Sequence, residues 1–169
     1  MAATPHPDSA AFAINCAIIT VSDTRTVETD RSGEMIRQLL IDAGHQLVAY
    51  VILKDKPGQI QTELEQLSQR TELAAVIING GTGIAPRDTT YDAIAALLEK
   101  TLPGFGELFR WLSYQDIGSR AMASRAIAGV FRTKLVFSVP GSTGAVTLAM
   151  QTLILPELRH LVSQLHTSN

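Results

Sequence analysis

The chain has 169 residues, of which 46% are hydrophobic, and its formal net charge at pH 7 is −2. A chain of this length and composition can bury a large core without disulfides or a structural metal, which excludes a largely disordered protein and predicts a single domain. The small net charge argues against nucleic acid as the main partner, because nucleic-acid-binding domains concentrate positive charge.

The sequence also predicts where the protein works. Cys16 is the only cysteine, so there is no disulfide framework and a reducing compartment is expected. The chain has no signal-peptide pattern at its start, and no apolar run approaches the roughly 20 residues that span a bilayer. We therefore expect a cytoplasmic protein with no membrane partner, in which residues 1–12 are a flexible lead-in and residues 13–169 form one domain.

The first part of the chain alternates strands and helices at about thirty residues per unit. Apolar, β-branched runs predict strands at residues 13–21, 47–53 and 73–78. Helical spacing predicts a helix that follows Asp30 and ends before Gly44, a helix from Pro57, and a helix over residues 91–100. This order implies right-handed crossovers and a mostly parallel sheet.

The second part departs from that alternation. An aromatic-rich helix is predicted around residues 105–114, and because it is apolar on more than one face it must be buried in the core or against another subunit. We favour its partial use as a subunit interface. A short helix over residues 119–128, strands at 127–131 and 134–139, and a helix from Ser142 that restarts or kinks at Pro156 complete the prediction.

The stretch over residues 79–90 most needs a functional explanation. It reads Asn-Gly-Gly-Thr-Gly-Ile-Ala-Pro-Arg-Asp-Thr-Thr and joins a predicted buried strand to a helix. Ligands bind at this position in open α/β sheets, and the N–H groups there favour phosphate. Arg87 can supply positive charge and Asp88 a carboxylate. The alternative is a tight turn that merely needs glycine at positive φ.

Three other predicted strands end in ligand-type residues, namely Ser22-Asp23-Thr24, Asp55 and the loop from Pro140 to Gly144. Carboxyl ends of parallel strands share one edge of the sheet, so the four loops should converge. Glycine-rich loops suit anionic groups, and Asp55 with Asp88 suits Mg²⁺, which usually takes one or two protein carboxylates. Together they predict a nucleotide-type site, although singly Asp55 could serve only the following helix dipole and Ser142 only as an N-cap.

Several named signatures are absent. The glycine stretch is not a Walker A motif, because no Gly-Lys-Ser/Thr follows, and Pro86 stands at the third glycine position of the dinucleotide fingerprint. No Cys/His cluster has zinc spacing, and the four histidines are scattered, so we expect surface histidines rather than metal ligands.

Residues 79–90 resemble the central motif of the molybdenum cofactor biosynthesis family that includes MoaB, MogA and the G domain of gephyrin. The resemblance runs from Ala13 over nearly the whole chain. It includes Val-Ser-Asp at 21–23, Asp-x-Ser-Gly at 30–33, Pro-Gly-Phe-Gly-Glu at 103–107, Ser-Arg-Ala at 124–126 and Val-Pro-Gly-Ser at 139–142. Leu-Ser at 112–113, Ile-Gly at 117–118 and the Pro-Gly-Ser-Thr ending resemble the MoaB branch most. The resemblance implies a three-layer α/β/α domain with a mostly parallel central sheet, assembled as a trimer or hexamer.

Active members of that family transfer AMP from Mg-ATP to the terminal phosphate of molybdopterin and release pyrophosphate. The resemblance therefore implies a molybdopterin adenylyltransferase that uses ATP, molybdopterin and Mg²⁺, with other molybdenum cofactor biosynthesis proteins as possible partners. The alternative is a non-catalytic molybdopterin-binding or scaffolding paralogue of the same pathway.

By the same resemblance, Asp55 and Asp88 match the family's two functionally important aspartates. We assign them to catalysis and to Mg²⁺, directly or through water. Arg87 and Arg125 are candidates for the developing negative charge, and Ser22 and Asp23 join the site from the first strand end. The positions that match the family's pterin-phosphate and nucleotide pocket are Gly80, Gly81, Thr82, Gly83, Ser113, Ser124, Pro140, Gly141 and Ser142.

Overall fold

A computed structural model describes residues 12–166. The strands are β1 (Asn15–Val21), β2 (Gln46–Leu53), β3 (Ala75–Asn79), β4 (Lys100–Thr101), β5 (Ile127–Phe131) and β6 (Lys134–Val139). The α-helices are α1 (Arg31–Asp42), α2 (Pro57–Ser68), α3 (Thr90–Ala95), α4 (Pro103–Ile117), α5 (Thr143–Ala149) and α6 (Leu155–His166). A 3₁₀ segment (Gly118–Ala123) follows α4, and a π-helical turn (Met150–Ile154) joins α5 to α6. The predicted lead-in lies almost wholly outside the described residues.

The six strands form one sheet in the order β2-β1-β3-β6-β5-β4. Strands β2, β1, β3 and β6 run parallel to one another. At the other edge of the sheet β5 pairs antiparallel with β6, and β4 pairs antiparallel with β5. The prediction of a mostly parallel central sheet in an α/β/α domain is confirmed. The parallel part brings the carboxyl ends of β1, β2, β3 and β6 to the same edge of the sheet.

Helices cover both faces of the sheet because its central strands are apolar on both sides. Successive side chains of a strand point to opposite faces, so Ile18 packs in one buried cluster and Ile19 in the other. The first cluster includes residues of α1, α4, α5 and α6, and the second includes residues of α2 and α3. No helix among residues 12–166 combines the length and the hydropathy that a membrane crossing needs.

The predicted helix boundaries of the first half are confirmed. Asp30 caps α1 by accepting a hydrogen bond from the Gly33 amide, and Gly44 follows the helix at φ +79°. Pro57 occupies the first turn of α2, which buries Ile60 and Leu64 against the sheet.

Two predicted helices are wrong in extent. The helix expected over residues 91–100 ends at Ala95, because the chain beyond it pairs with β5, where Lys100 lies opposite Val130. The helix expected over residues 119–128 is only a 3₁₀ segment that ends at Ala123, and the chain then extends into β5. In the first place pairing with β5 replaces the helix that the local sequence favours, and in the second the chain joins β5, which pairs with β6 from Ile127 onward.

The aromatic helix α4 is buried on one side and exposed on the other. Phe105 and Phe109 pack against the sheet, where the ring centroids of Phe105 and Phe137 are 5.4 Å apart. Trp111 and Tyr114 are 62% and 58% exposed. Burial of the whole helix is therefore not achieved within one chain.

Candidate functional site

The loops that follow the four parallel strands converge as predicted. Three of them line one cavity of about 210 Å³, whose walls are Val21, Ser22, Asp23, Thr24, Asp55, Gly81, Arg87 and Asp88. The fourth loop abuts the glycine stretch, because a Cβ added to Gly141 would lie 3.2 Å from the Cα of Gly80. Asp55, Asp88, Ser22, Asp23 and Gly81 are thus brought together, with Gly80 and Gly141 at the margin.

The Asp55 carboxylate is held by the residues that begin α3. Its Oδ1 accepts hydrogen bonds from the Thr89 hydroxyl at 2.7 Å, the Thr89 amide at 3.2 Å and the Thr90 hydroxyl at 3.2 Å. Its Oδ2 accepts no hydrogen bond from residues 12–166 and belongs to a side chain that lines the cavity. One oxygen therefore fixes the carboxylate, and the other can bind a cation or a water molecule.

Asp88 organises its own turn. Its Oδ2 accepts a hydrogen bond from the Ala85 amide at 3.0 Å, and its amide donates to the Ala85 carbonyl at 2.8 Å. A Cβ added to Gly83 would crowd the Asp88 carboxylate, so a larger residue there would displace this side chain. Asp88 and Asp55 line the same cavity.

Two glycines allow the stretch to lie against the neighbouring loops. Gly80 has φ +103° and Gly81 has φ +64°, backbone conformations that residues other than glycine rarely adopt. A Cβ on Gly80 would overlap the Val21 carbonyl, and one on Gly81 would overlap side-chain oxygens of Thr90 and Asp55. These glycines therefore make room for specific neighbours, which a simple tight turn would not require.

The cavity is rich in negative charge. Asp23, Asp55 and Asp88 line it, and Arg87 is the one cationic side chain among the lining residues that the structure describes. No group of three or more His, Cys, Asp or Glu side chains within residues 12–166 could hold a metal ion. A pair of carboxylates with room for water fits Mg²⁺, which keeps several waters, better than Zn²⁺, which prefers nitrogen and sulfur ligands.

Three predicted site residues lie elsewhere. Ser113 is buried in α4, and the Ser124 hydroxyl oxygen is buried without a hydrogen-bond partner among residues 12–166. Arg125 pairs with Asp92 through contacts of 2.5 and 3.0 Å, which lower the pKa of Asp92, and its guanidinium lies over the Tyr91 ring. None of the three lines the Asp55 cavity, and their contact with a ligand stays a prediction.

Three other predicted positions lie in the glycine stretch or in the fourth loop. Ser142 accepts a hydrogen bond from the Ala145 amide at 3.2 Å and so caps α5. Thr82 is buried beside the two glycines. Pro140 is half-buried at the start of the fourth loop.

Sequence reasoning missed a buried polar cluster behind the site. Asp30, Ser32 and Asn79 are at most 2% exposed, and Arg25 and Tyr50 contact them. Burial acts to raise the pKa of Asp30, but hydrogen bonds from Thr20, Tyr50, the Gly33 amide and Ser32 together hold it below the usual value. Burial and the bond to Asp30 raise the pKa of Tyr50 well above its usual value. The available signal was the Asp-x-Ser-Gly segment, which a helix cap explained equally well.

A family model described as "Probable molybdopterin binding domain" matches residues 17–160. Among curated proteins, molybdenum cofactor biosynthesis protein B of Halalkalibacterium halodurans is 52% identical over 166 residues, which cover 98% of both chains. The protein of the same name from Bacillus subtilis is 51% identical over 166 residues, again with 98% of both chains covered.

Solved structures agree with these matches. A crystal structure of molybdenum cofactor biosynthesis protein B has a TM-score of 0.91 and 51% identity, with 94% of this chain and 99% of that chain covered. The tungsten cofactor synthesizing protein MoaB from Pyrococcus furiosus has a TM-score of 0.83 and 32% identity, with 94% and 100% covered.

Proposed function

The chain belongs to the family of molybdopterin-binding domains that includes molybdenum cofactor biosynthesis protein B, and from that premise we propose that it is a molybdopterin adenylyltransferase. It would bind molybdopterin and transfer AMP to it from Mg-ATP. The observation that carries this proposal is that Asp55 and Asp88 line one cavity beside a glycine stretch at the carboxyl edge of a parallel sheet. Phosphate-rich substrates with a divalent cation need both features.

The chemistry is a phosphoryl-type displacement at the α-phosphorus of ATP. An oxygen of the terminal phosphate of molybdopterin attacks this phosphorus and forms a new P–O bond. The bond to the oxygen that bridges the α- and β-phosphates breaks, and pyrophosphate leaves with that electron pair. Such transfers depend on alignment and charge neutralisation rather than on a covalent protein intermediate.

The residues of the cavity fit this requirement. Asp55 Oδ2 and the Asp88 carboxylate would hold Mg²⁺, directly or through water, and the bound ion would neutralise phosphate charge that carboxylates alone would repel. The amides of Gly81 and Gly141 would donate to phosphate oxygens, whereas the Gly80 amide already donates to the Val139 carbonyl. Arg87 lines the cavity and is a better candidate for the developing charge than Arg125, which pairs with Asp92.

We further propose that the protein is a homo-oligomer, a trimer or a hexamer. Leu108, Trp111, Tyr114 and Ile117 of α4 expose between 51% and 62% of their surface in the single chain. Exposure of several large apolar groups on one helix is typical of a surface that another chain covers. Other molybdenum cofactor biosynthesis proteins are proposed as partners that supply molybdopterin or accept the product.

The experiment that tests the function is a product assay with purified molybdopterin and Mg-ATP. We expect pyrophosphate and adenylylated molybdopterin in equal amounts, and no product when Mg²⁺ is chelated. A parallel titration by calorimetry should show binding of both molybdopterin and ATP. Binding of molybdopterin without nucleotide binding and without product would contradict the proposal and support the non-catalytic scaffold instead.

A further inference from the structure

Arg25 connects two loops that lie far apart in the sequence. One terminal nitrogen, Nη2, donates a hydrogen bond to the Gly141 carbonyl at 2.8 Å. The other, Nη1, donates to the Ser32 hydroxyl at 2.5 Å and lies 3.4 Å from Asp30 Oδ1. The planar guanidinium can hold these acceptors at once because its donors are fixed in a fork.

Ser32 and Asp30, the buried acceptors of Arg25, belong to a continuous series of hydrogen bonds. Ser32 is within 2.7 Å of Asn79 Oδ1, and the Asn79 amide group donates to the Thr20 hydroxyl at 2.8 Å. Thr20 in turn hydrogen-bonds to Asp30. The chain thus runs from the Arg25 cation back to the buried Asp30 carboxylate, and each bond polarises the next.

The hydrogen-bond chain touches both glycine loops, the one that begins at Gly80 and the one that contains Gly141. Asn79 is the last residue of β3 and precedes Gly80, and the Gly80 amide donates to the Val139 carbonyl. Gly141 packs against Gly80 closely enough that an added Cβ would lie 3.2 Å from its Cα. A displacement of the Gly141 loop would therefore change the distance between its backbone amides and those of the Gly80 loop.

We propose that Arg25 is a positioning residue that fixes the Gly141 loop against the Gly80 loop, by bridging the Gly141 carbonyl to the buried Ser32 and Asp30. This inference rests on the proposed function for its kinetic consequence, since the two loops would hold the phosphates of the two substrates. Its structural consequence, an ordered loop at residues 140–145, can be measured without any activity.

The fold should survive the loss of Arg25. Its side chain is 31% exposed, and without it the Asp30 carboxylate still accepts hydrogen bonds from the Gly33 amide and from the Tyr50 hydroxyl. Arg25→Ala would release the Gly141 carbonyl, whereas Arg25→Lys keeps the charge but replaces the fork by a single ammonium. Arg37→Ala is the matched control, because within residues 12–166 Arg37 pairs only with Glu34, on the exposed side of α1.

The test combines hydrogen–deuterium exchange with steady-state kinetics on these three variants. For Arg25→Ala we expect at least about tenfold faster exchange at residues 140–145 and protection like wild type in β1 and β3. We expect kcat to fall by up to about 10²-fold with a smaller change in KM, because the attacking phosphate of molybdopterin would be misaligned with the α-phosphorus of ATP. Arg25→Lys should lie between Arg25→Ala and wild type, and Arg37→Ala should match wild type.

Wild-type exchange and wild-type kcat in Arg25→Ala would overturn the positioning role. Arg25→Lys equal to wild type would also overturn it, because charge alone would then suffice. If the wild-type protein transfers no AMP, the proposed function fails, and the exchange comparison still decides whether Arg25 orders the Gly141 loop.

Discussion

Thr89 holds the Asp55 carboxylate through two hydrogen bonds to the same oxygen, 2.7 Å from its hydroxyl and 3.2 Å from its amide. The two residues are 34 positions apart, so the loop that follows β3 orients the carboxylate that follows β2. The geometry of the site therefore depends on contacts between the loops that follow two different strands. It also distinguishes the two oxygens of Asp55, because Oδ1 is held by these bonds and Oδ2 accepts no hydrogen bond from residues 12–166.

Removing the Thr89 hydroxyl should loosen Asp55. Thr89→Val keeps the side-chain shape and the amide bond but deletes the 2.7 Å hydrogen bond. A hydrogen bond to a charged group contributes about 1.5–3 kcal/mol, so we expect AMP transfer to fall roughly tenfold with a modest loss of unfolding free energy. Enzyme kinetics and urea unfolding measure the two effects. Thr62→Val, on the exposed side of α2, is the control, and equal activity in both variants would refute the role of Thr89.

A side chain at Gly81 should be tolerated poorly. Gly81→Ala places a non-glycine residue at φ +64°, at a cost of about 1–2 kcal/mol, and its Cβ would overlap Thr90 and Asp55 oxygens. We expect at least about a tenfold loss of kcat/KM because Asp55 must move. Gly104→Ala is the matched control, since nothing lies within 4 Å of its added Cβ and it sits in the first turn of α4. Wild-type kinetics in Gly81→Ala would show that the loop adapts.

The sequence predicted the parts of this site that depend on local pattern. Apolar runs located β1, β2, β3 and β6, and a parallel sheet then required their carboxyl ends to meet, which brings Asp55 and Asp88 to one cavity. The Thr89 contact could not be predicted, because hydroxyls beside a helix start look like ordinary caps. Its partner is defined only when two loops meet in space.

Other features depended on long-range pairing or burial. The strand at Lys100–Thr101 is two residues long and forms by pairing with β5, so the local sequence alone predicts a helix there. The prediction that all histidines are on the surface fails at His45, which is 4% exposed and accepts a hydrogen bond from the Ile14 amide through Nδ1. A lone histidine after a helix gives no sign of which side it will face.

His45 should make stability depend on pH. Burial, and then the charge of Arg159, lower the pKa of His45 in the folded protein, whereas the unfolded chain titrates near 6.5. The unfolded chain therefore binds a proton first as the pH falls, so the free energy of unfolding decreases below about pH 6.5 until the folded pKa is passed. Urea unfolding at about pH 7.5 and about pH 5.5 measures this loss.

The matched variant for that measurement is His45→Asn. Its side-chain oxygen can accept the Ile14 amide bond in the place of Nδ1, but it does not titrate. We expect the variant to lose less free energy of unfolding than wild type between the two pH values. Equal losses would mean that other groups account for the dependence.

The exposed face of α4 gives a prediction for assembly. Trp111 is 62% exposed in the single chain, and Trp111→Glu would place a charge in the proposed subunit interface. Light scattering at micromolar concentration should show a trimer or hexamer for wild type and a smaller mass for the variant. Gln66→Glu adds the same charge on the exposed side of α2 and should keep the wild-type mass. A monomeric wild type would reject the interface.

The central claim is that Asp55 and Asp88 together support Mg²⁺-dependent AMP transfer to molybdopterin. The most direct measurement is a single-turnover assay of adenylylated molybdopterin with wild type, Asp55→Asn, Asp88→Asn and the surface control Asp42→Asn, whose residue pairs with Gln38 at the end of α1. We predict a fall of roughly 10²-fold or more for each of the first two variants, with urea unfolding close to wild type, and no change for the control. Wild-type turnover in both Asp55→Asn and Asp88→Asn would contradict the account.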